Sequence, residues 1–207
     1  AYEIADRDWS SDVCSSDLDV ASGTGDLALL MCRRLQPQQI IAADLSEEMM
    51  AVGRRKATKA GYASRISFEH QDCMTLTYSD HSFDAITVAF GVRNFADLER
   101  GLSEMERVLR PDGQLRILEL STPKHFPMKQ LYALYSRTII PLVGSWFSLE
   151  KSAYRYLPAS IRKMPQGREM VRLLERQGFD VQVRTFTGGT CSLYSATKHG
   201  HSNTIGK

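Results

Sequence analysis

From Leu18 onward the chain alternates short apolar runs with longer amphipathic ones, and that alternation leaves few folds open to it. Apolar runs too short for a helix fall at residues 18–21, 40–43, 66–69, 85–90 and 114–120. Between them, apolar residues recur at helical spacing, as in Leu98, Leu102, Met105, Val108 and Leu109. Strand, helix and strand repeated in this order specify a parallel sheet covered on its faces, because every crossover must return the chain to the same sheet end. The punctuation agrees. Pro37 ends the first helix, Ser46 caps the second with Glu47 and Glu48 at the positive end of its dipole, and Gly61 closes it. Arg110-Pro111-Asp112-Gly113 turns the chain into the fifth strand. After a helix over residues 167–177, two β-type runs at 181–187 and 191–197 flank Gly188-Gly189-Thr190 and predict an antiparallel hairpin. The expected fold is α/β: a doubly wound, mostly parallel, seven-stranded Rossmann-like sheet with a C-terminal antiparallel hairpin.

Bulk properties narrow the function. With 207 residues and 43% hydrophobic content the chain fits one domain, spanning residues 18–198. The 26 basic and 24 acidic residues leave a net charge of +2, too little for nucleic-acid binding driven by counterion release. Cys14, Cys32, Cys73 and Cys191 show no CxxC-type spacing, so neither a metal site nor a disulfide framework is expected, and a reducing, cytoplasmic setting follows. No apolar run approaches the ~20 residues that span a bilayer. Residues 1–17, rich in Ser and Asp with SSD repeated, show neither helical nor strand periodicity. They resemble a translated sequencing-adapter fragment standing where a native segment belongs; a disordered tail is the alternative. Residues 199–207 are expected to form a frayed tail.

Gly23-Thr24-Gly25-Asp26-Leu27-Ala28 follows a strand and opens a helix, which lets a ligand approach the backbone at the carboxyl edge of the sheet. The loop also fits the dinucleotide fingerprint, so an NAD-dependent oxidoreductase is the competing reading. Charge separates the two. A pyrophosphate at a helix N-terminus needs donors, whereas Asp19 and Asp26 bracket this loop with carboxylates, which suit the sulfonium and ammonium of S-adenosyl-L-methionine. Asp44, ending the second strand, is placed to accept from ribose hydroxyls, and Asp72, ending the third, from an adenine amino group, with Cys73 and Met74 as soft contacts to the ring. The expected cofactor-binding set is Asp19, Ala21, Gly23, Thr24, Gly25, Asp44, Leu45, Asp72, Cys73 and Ala89.

Residues 82–121, SFDAITVAFGVRNFADLERGLSEMERVLRPDGQLRILELS, are similar to the UbiE/MenG/COQ5 family of quinone-biosynthesis methyltransferases. That family's second signature runs Arg-Val-apolar-Lys-Pro-Gly-Gly-x-apolar-x-x-apolar-Glu-x-Ser, and residues 107–121 depart from it only at Arg110 and Asp112. The resemblance continues through YRYLPASIRKMPQG and the TGGTCSLYSATK hairpin, about 180 residues in all. It implies a class I methyltransferase fold and transfer of a methyl group from S-adenosyl-L-methionine to a ring carbon of a polyprenylated hydroquinone, demethylmenaquinol or the benzoquinol precursor of ubiquinone. Two departures stand out. The upstream Tyr-Asp-x-Met-Asn signature is absent, which leaves an inactive truncated fold as a further alternative. Ala89 replaces a serine that some members use against the cofactor.

Carbon methylation needs a ring made nucleophilic by loss of a phenolic proton, so the protein must align the ring, stabilise the phenolate and give access to a base. Arg93 is the leading candidate to hold the phenolate, its alternative being a structural ion pair; Asn94 beside it is expected to orient substrate or backbone, Glu119 is a candidate base and Tyr154 a candidate wall of the ring pocket. Residues 124–166 carry a broad apolar stretch bracketed by Lys124, Lys129, Arg137 and Lys151, expected to form a lid over a lipophilic quinol. A peripheral contact at the inner face of the membrane and a homodimer surface are both open readings of it.

Overall fold

The structure is a computed structural model that describes residues 16–134 and 160–200. Seven strands form one sheet in the order β3-β2-β1-β4-β5-β7-β6, with β1 Asp17–Val20, β2 Ile40–Asp44, β3 Ile66–His70, β4 Phe83–Ala89, β5 Leu109–Leu120, β6 Phe179–Phe186 and β7 Cys191–Lys198. The first five pair in parallel, and β7 joins antiparallel to both β5 and β6. This is the expected doubly wound sheet with its hairpin. The described helices that serve it are α1 Asp26–Arg34, α2 Glu47–Ala60, α3 Leu98–Val108, α4 Met128–Leu134 and α5 Arg168–Arg176.

Local chemistry explains the element ends. The Ser46 hydroxyl accepts from the Met49 amide at 3.3 Å and starts α2 as its cap. Asp97 does the same for α3, accepting from Arg100 at 3.0 Å. At the far end of α3, the buried Lys198 ammonium donates to the carbonyls of Glu106 and Leu109 at 2.7 and 2.9 Å, a cation at the negative end of the helix dipole. One core cluster joins Leu18, Ile86, Leu115 and Ile117 of the sheet to Leu102 and Met105 of α3 and to Met170 and Leu174 of α5. A second joins Ala28 and Met31 of α1 to Ile40, Ala42, Ala57 and Ile66.

Boundaries differ from expectation in two informative places. Strand β1 begins at Asp17, inside the stretch set aside as foreign, because Asp17 pairs with Ile40 on one side and Ala85 on the other. Strand β5 begins at Leu109, not Gln114: Leu109 pairs with Phe83 and Gln114 with Ala85, so Arg110-Pro111-Asp112-Gly113 loops out within the strand instead of preceding it. An ion pair between Arg110 and Asp84 spans that irregularity.

Strands β1 and β4 end so close together that a Cβ at Gly91 would lie 2.6 Å from the Cβ of Ala21. Ala21 itself is left-handed, with φ of 53°. Gly91→Ala therefore forces one of the two strand ends aside and is expected to cost about 1–3 kcal/mol, read as a lowered urea midpoint with unchanged slope; a midpoint at the wild-type value contradicts this packing.

Candidate functional site

At the carboxyl edge, where β1 has β2 on one side and β4 on the other, the loops leaving these strands diverge and open a cavity of about 550 Å³. Its walls come from the expected positions. Ala21, Gly23 and Thr24 follow β1, Asp44 and Leu45 end β2, Asp72 and Cys73 follow β3, and Ala89, Arg93 and Asn94 end β4. A smaller cavity of about 200 Å³ adjoins it, sharing Ala21, Ser22, Ala89 and Phe90 and reaching down to Asp19. Gly25 lines neither. It is the left-handed N-cap of α1, and its amide donates to the Ser22 carbonyl at 2.9 Å to close the loop.

The acids at the three strand ends are held differently. Asp44 is pinned by backbone: Oδ2 accepts from the Gly23 amide at 2.7 Å and Oδ1 from the Ser46 amide at 2.8 Å. Each oxygen keeps a second acceptor site, so the carboxylate is oriented and still available. Asp72 accepts from the Met74 amide at 2.9 Å, which fixes the turn after β3. Beside it, burial first, and then the charges of Asp72 and Asp44, push the Cys73 thiol up to about 11, so it meets a ligand as a soft protonated contact and not as a nucleophile.

Asp19 is the anomaly. It is buried, with Oδ1 accepting from the Thr87 hydroxyl at 3.0 Å, while no partner among the described residues meets hydrogen-bond geometry at Oδ2. Desolvation raises its pKa from an ordinary 3.8 to about 7 against the lowering pulls of Thr87 and the Ala28 amide, and the Asp44 charge adds to the rise. Asp26 corrects the expectation placed on it. Its carboxylate accepts from the Thr24 hydroxyl at 2.7 Å and pairs with Lys56 at 2.8 Å on an exposed rim, and the Lys56 hydrogen bond holds its pKa low. Asp19 has no cation paired with it among the described residues.

Past β4, a 3₁₀ turn over Val92–Asn94 carries the expected catalytic pair. Arg93 Nη1 donates to Glu119 Oε1 at 2.7 Å and also to the Phe90 carbonyl, and the Arg93 amide donates to Glu119 Oε2 at 3.3 Å. Glu119 is fully buried and lines neither cavity. Glu119, expected as a candidate base, forms an ion pair with Arg93 at 2.7 Å. Tyr154, Arg137 and Lys151 lie outside the described residues. His125 sits in an exposed bend.

A family model described as the ubiE/COQ5 methyltransferase family matches residues 5–198. The chain belongs to this family. Among its relatives in the family is a demethylmenaquinone methyltransferase of Bacteroides fragilis, 54% identical over 87% of this chain and 74% of that one. A ubiquinone/menaquinone biosynthesis C-methyltransferase of Geobacter sulfurreducens is 42% identical over 87% of this chain and 71% of that one. Among solved structures, a putative methyltransferase from Bacillus halodurans shares the fold at a TM-score of 0.68 and 16% identity over 96% of each chain. Phosphoethanolamine N-methyltransferase 2 of Haemonchus contortus, solved with S-adenosyl-L-methionine, does so at 0.66 and 14% over 89% of this chain and 49% of that one.

As a member of this family of S-adenosyl-L-methionine-dependent methyltransferases, the chain shows wall residues that motif reasoning passed over. Met49, one turn into α2 from Asp44, and Phe90, a left-handed residue with φ of 58°, both face the larger cavity. Met49 was within reach, as an apolar residue in the first turn after a strand-ending acid. Phe90 carries no such signal, since its importance lies in its backbone conformation.

A cationic ligand stabilises ionised Asp19, so its affinity is expected to rise with pH and level off above about 7. Below that the dissociation constant for S-adenosyl-L-methionine should weaken by up to about tenfold per pH unit. Calorimetric titration between pH 5 and 8 checks this, with Asp19→Asn binding weakly at every pH and Asp26→Asn behaving as wild type. In the free protein the sign is opposite: a raised folded pKa favours the fold below the ordinary 3.8, and that contribution is lost as pH climbs to about 7.

Proposed function

We propose that this methyltransferase acts on a ring carbon of a polyprenylated hydroquinone, demethylmenaquinol first and the benzoquinol precursor of ubiquinone as the close variant. The observation that carries the cofactor half is the buried Asp19 Oδ2, for which no partner among the described residues meets hydrogen-bond geometry, beneath a loop whose Gly23 is left-handed with φ of 55°. Such a cradle fits S-adenosyl-L-methionine, which supplies an electrophilic methyl group on a sulfonium. Asp19 meets the cationic amino acid end, Asp44 accepts from the ribose hydroxyls, and Asp72 accepts from the adenine amino group. Leu45, Met49 and the protonated Cys73 flank the base with apolar and soft surface. Ala89 leaves the place of a hydroxyl donor empty of polar contact, which favours a weaker cofactor affinity.

The substrate half rests on relatives whose names specify demethylmenaquinone, and on Arg93. A phenolate beside a guanidinium costs less than one in an apolar wall, so Arg93 favours the deprotonated ring that attacks through carbon. Asn94 orients the ring or the backbone that holds it, and Tyr154 is retained as part of the ring pocket. With Glu119 committed to Arg93, the phenolic proton leaves to solvent.

Exposed Phe126, Leu131 and Leu134 stand on and beside α4, near Lys124 and Lys129. No helix among the described residues is long and apolar enough to cross a membrane. An apolar patch with cations at its edge suits a peripheral lipid surface, which would deliver a lipophilic quinol; a second copy of the chain is the other occupant of that face.

Offered a short-chain demethylmenaquinol analogue and cofactor with an isotopically labelled methyl group, the protein is expected to yield a ring-methylated product carrying one labelled methyl by mass spectrometry. Turnover of the benzoquinol in preference shifts the substrate to the ubiquinone branch. Cofactor binding with no transfer to either quinol, and transfer only after a family-type N-terminal segment is restored, identifies the chain as a truncated form.

A further inference from the structure

The carboxylate of Glu119 lines no cavity, yet it holds a residue that does. It sits one place from the end of β5 in register with Ser192 of β7, with 0% of its surface exposed. Three donors meet it: Arg93 Nη1 at 2.7 Å and the Leu120 amide at 2.9 Å at Oε1, and the Arg93 amide at 3.3 Å at Oε2. Both oxygens of the carboxylate are thus already engaged. Arg93 is thereby gripped at two points, its backbone and one guanidinium nitrogen, and the same nitrogen donates to the carbonyl of the left-handed Phe90. What remains is specific. Arg93 Nε is buried without a partner among the described residues, and Arg93 forms part of the wall of the larger cavity.

On the reading of Arg93 as the cation that faces the phenolate, we propose that Glu119 is the positioning residue that makes it one. By occupying Nη1, the carboxylate fixes the guanidinium plane, with Nε buried, and leaves Nη2 for the substrate oxygen. From afar the pair is neutral, but Arg93 is the member that reaches the cavity, so the cavity meets the positive end. A lone arginine on a turn would rotate into solvent and lose that direction. The proton balance is simple: the phenol loses its proton to solvent, Arg93 and Glu119 keep their charges, and the negative charge on the ring oxygen is met by N–H donors already in place.

Two substitutions separate position from charge. Glu119→Asp keeps the anion and withdraws it by one methylene, and Glu119→Gln keeps the shape and removes the charge. With the demethylmenaquinol analogue at saturation, both are expected to lower kcat by about 10- to 100-fold, the cost of misplacing a reacting contact by roughly 1 Å. The dissociation constant for S-adenosyl-L-methionine stays at the wild-type value, and the acid limb of the pH–rate profile moves to higher pH. In the Arg93→Gln background, Glu119→Gln adds no further loss, because its effect passes through Arg93. In the protein alone, the Arg93 Nε–H resonance is expected to be sharp in wild type and exchange-broadened in Glu119→Gln. Should Glu119→Gln fail to fold with an unpaired buried cation, Glu119→Asp carries the test. A Glu119→Asp variant with wild-type kcat and pH profile, or losses that multiply fully in the double variant, overturns the role whatever the melting temperatures. A chain that binds the cofactor and methylates no quinol even with a family-type N-terminal segment restored overturns the substrate reading and this role with it.

Discussion

The structure depends on a four-residue strand that is hydrogen-bonded on both sides. Strand β1 pairs in parallel with β2 and with β4, and every one of its residues is buried, two of them aspartates. A strand so enclosed cannot choose its exits: the chain leaves toward β2, while β4 arrives from the other half of the sheet, and the loops on either side part. The cavity is the space between them. Its floor is tight where β1 and β4 end, at Ala21 and Gly91, and its rim is formed by residues that follow each strand. The cavity opens at this edge because β1 is paired on both sides and the loops that leave it and β4 part there.

Electrostatics then sort the acids that the topology gathers. Asp44 is turned by two backbone amides and stays accessible. Asp26, only two residues past the loop centre, spends its charge on Lys56 at the surface. Asp19 is buried, with no cation paired to it among the described residues, and that burial makes its ionisation costly. Across the cavity, the buried Glu119 carboxylate is paired with Arg93. Proximity in sequence and equality of charge do not make two carboxylates equivalent; what each one touches does.

Much of the fold was legible because parallel strands buried on both faces must be short and apolar, and amphipathic helices must alternate with them. The cap at Ser46, the stop at Gly61 and the C-terminal hairpin each follow from one residue's local chemistry. The cofactor edge was legible for a related reason: residues just past parallel strands fall on one edge whatever the rest of the chain does, so Asp44, Asp72, Ala89 and Arg93 could be placed together without a structure. The partnerships were not. That Lys56 reaches back 30 residues to Asp26, and Arg93 forward 26 to Glu119, depends on how helices settle on the sheet. Loop-out of residues 110–113 inside β5 was hidden because a Pro-Asp-Gly run marks a turn equally well before a strand or within one. The left-handed Phe90 was hidden because only the crowded junction with β1 calls for that conformation.

An acid buried under a glycine loop is expected to make this edge select a cationic sulfonium donor over a diphosphate nucleotide. Calorimetric titration of the wild-type chain at pH 8, with S-adenosyl-L-methionine in one cell and NAD in another, tests it most directly. Binding of S-adenosyl-L-methionine at one site per chain with no heat from NAD is the result that the account requires. Saturable binding of NAD, with none of S-adenosyl-L-methionine, contradicts it.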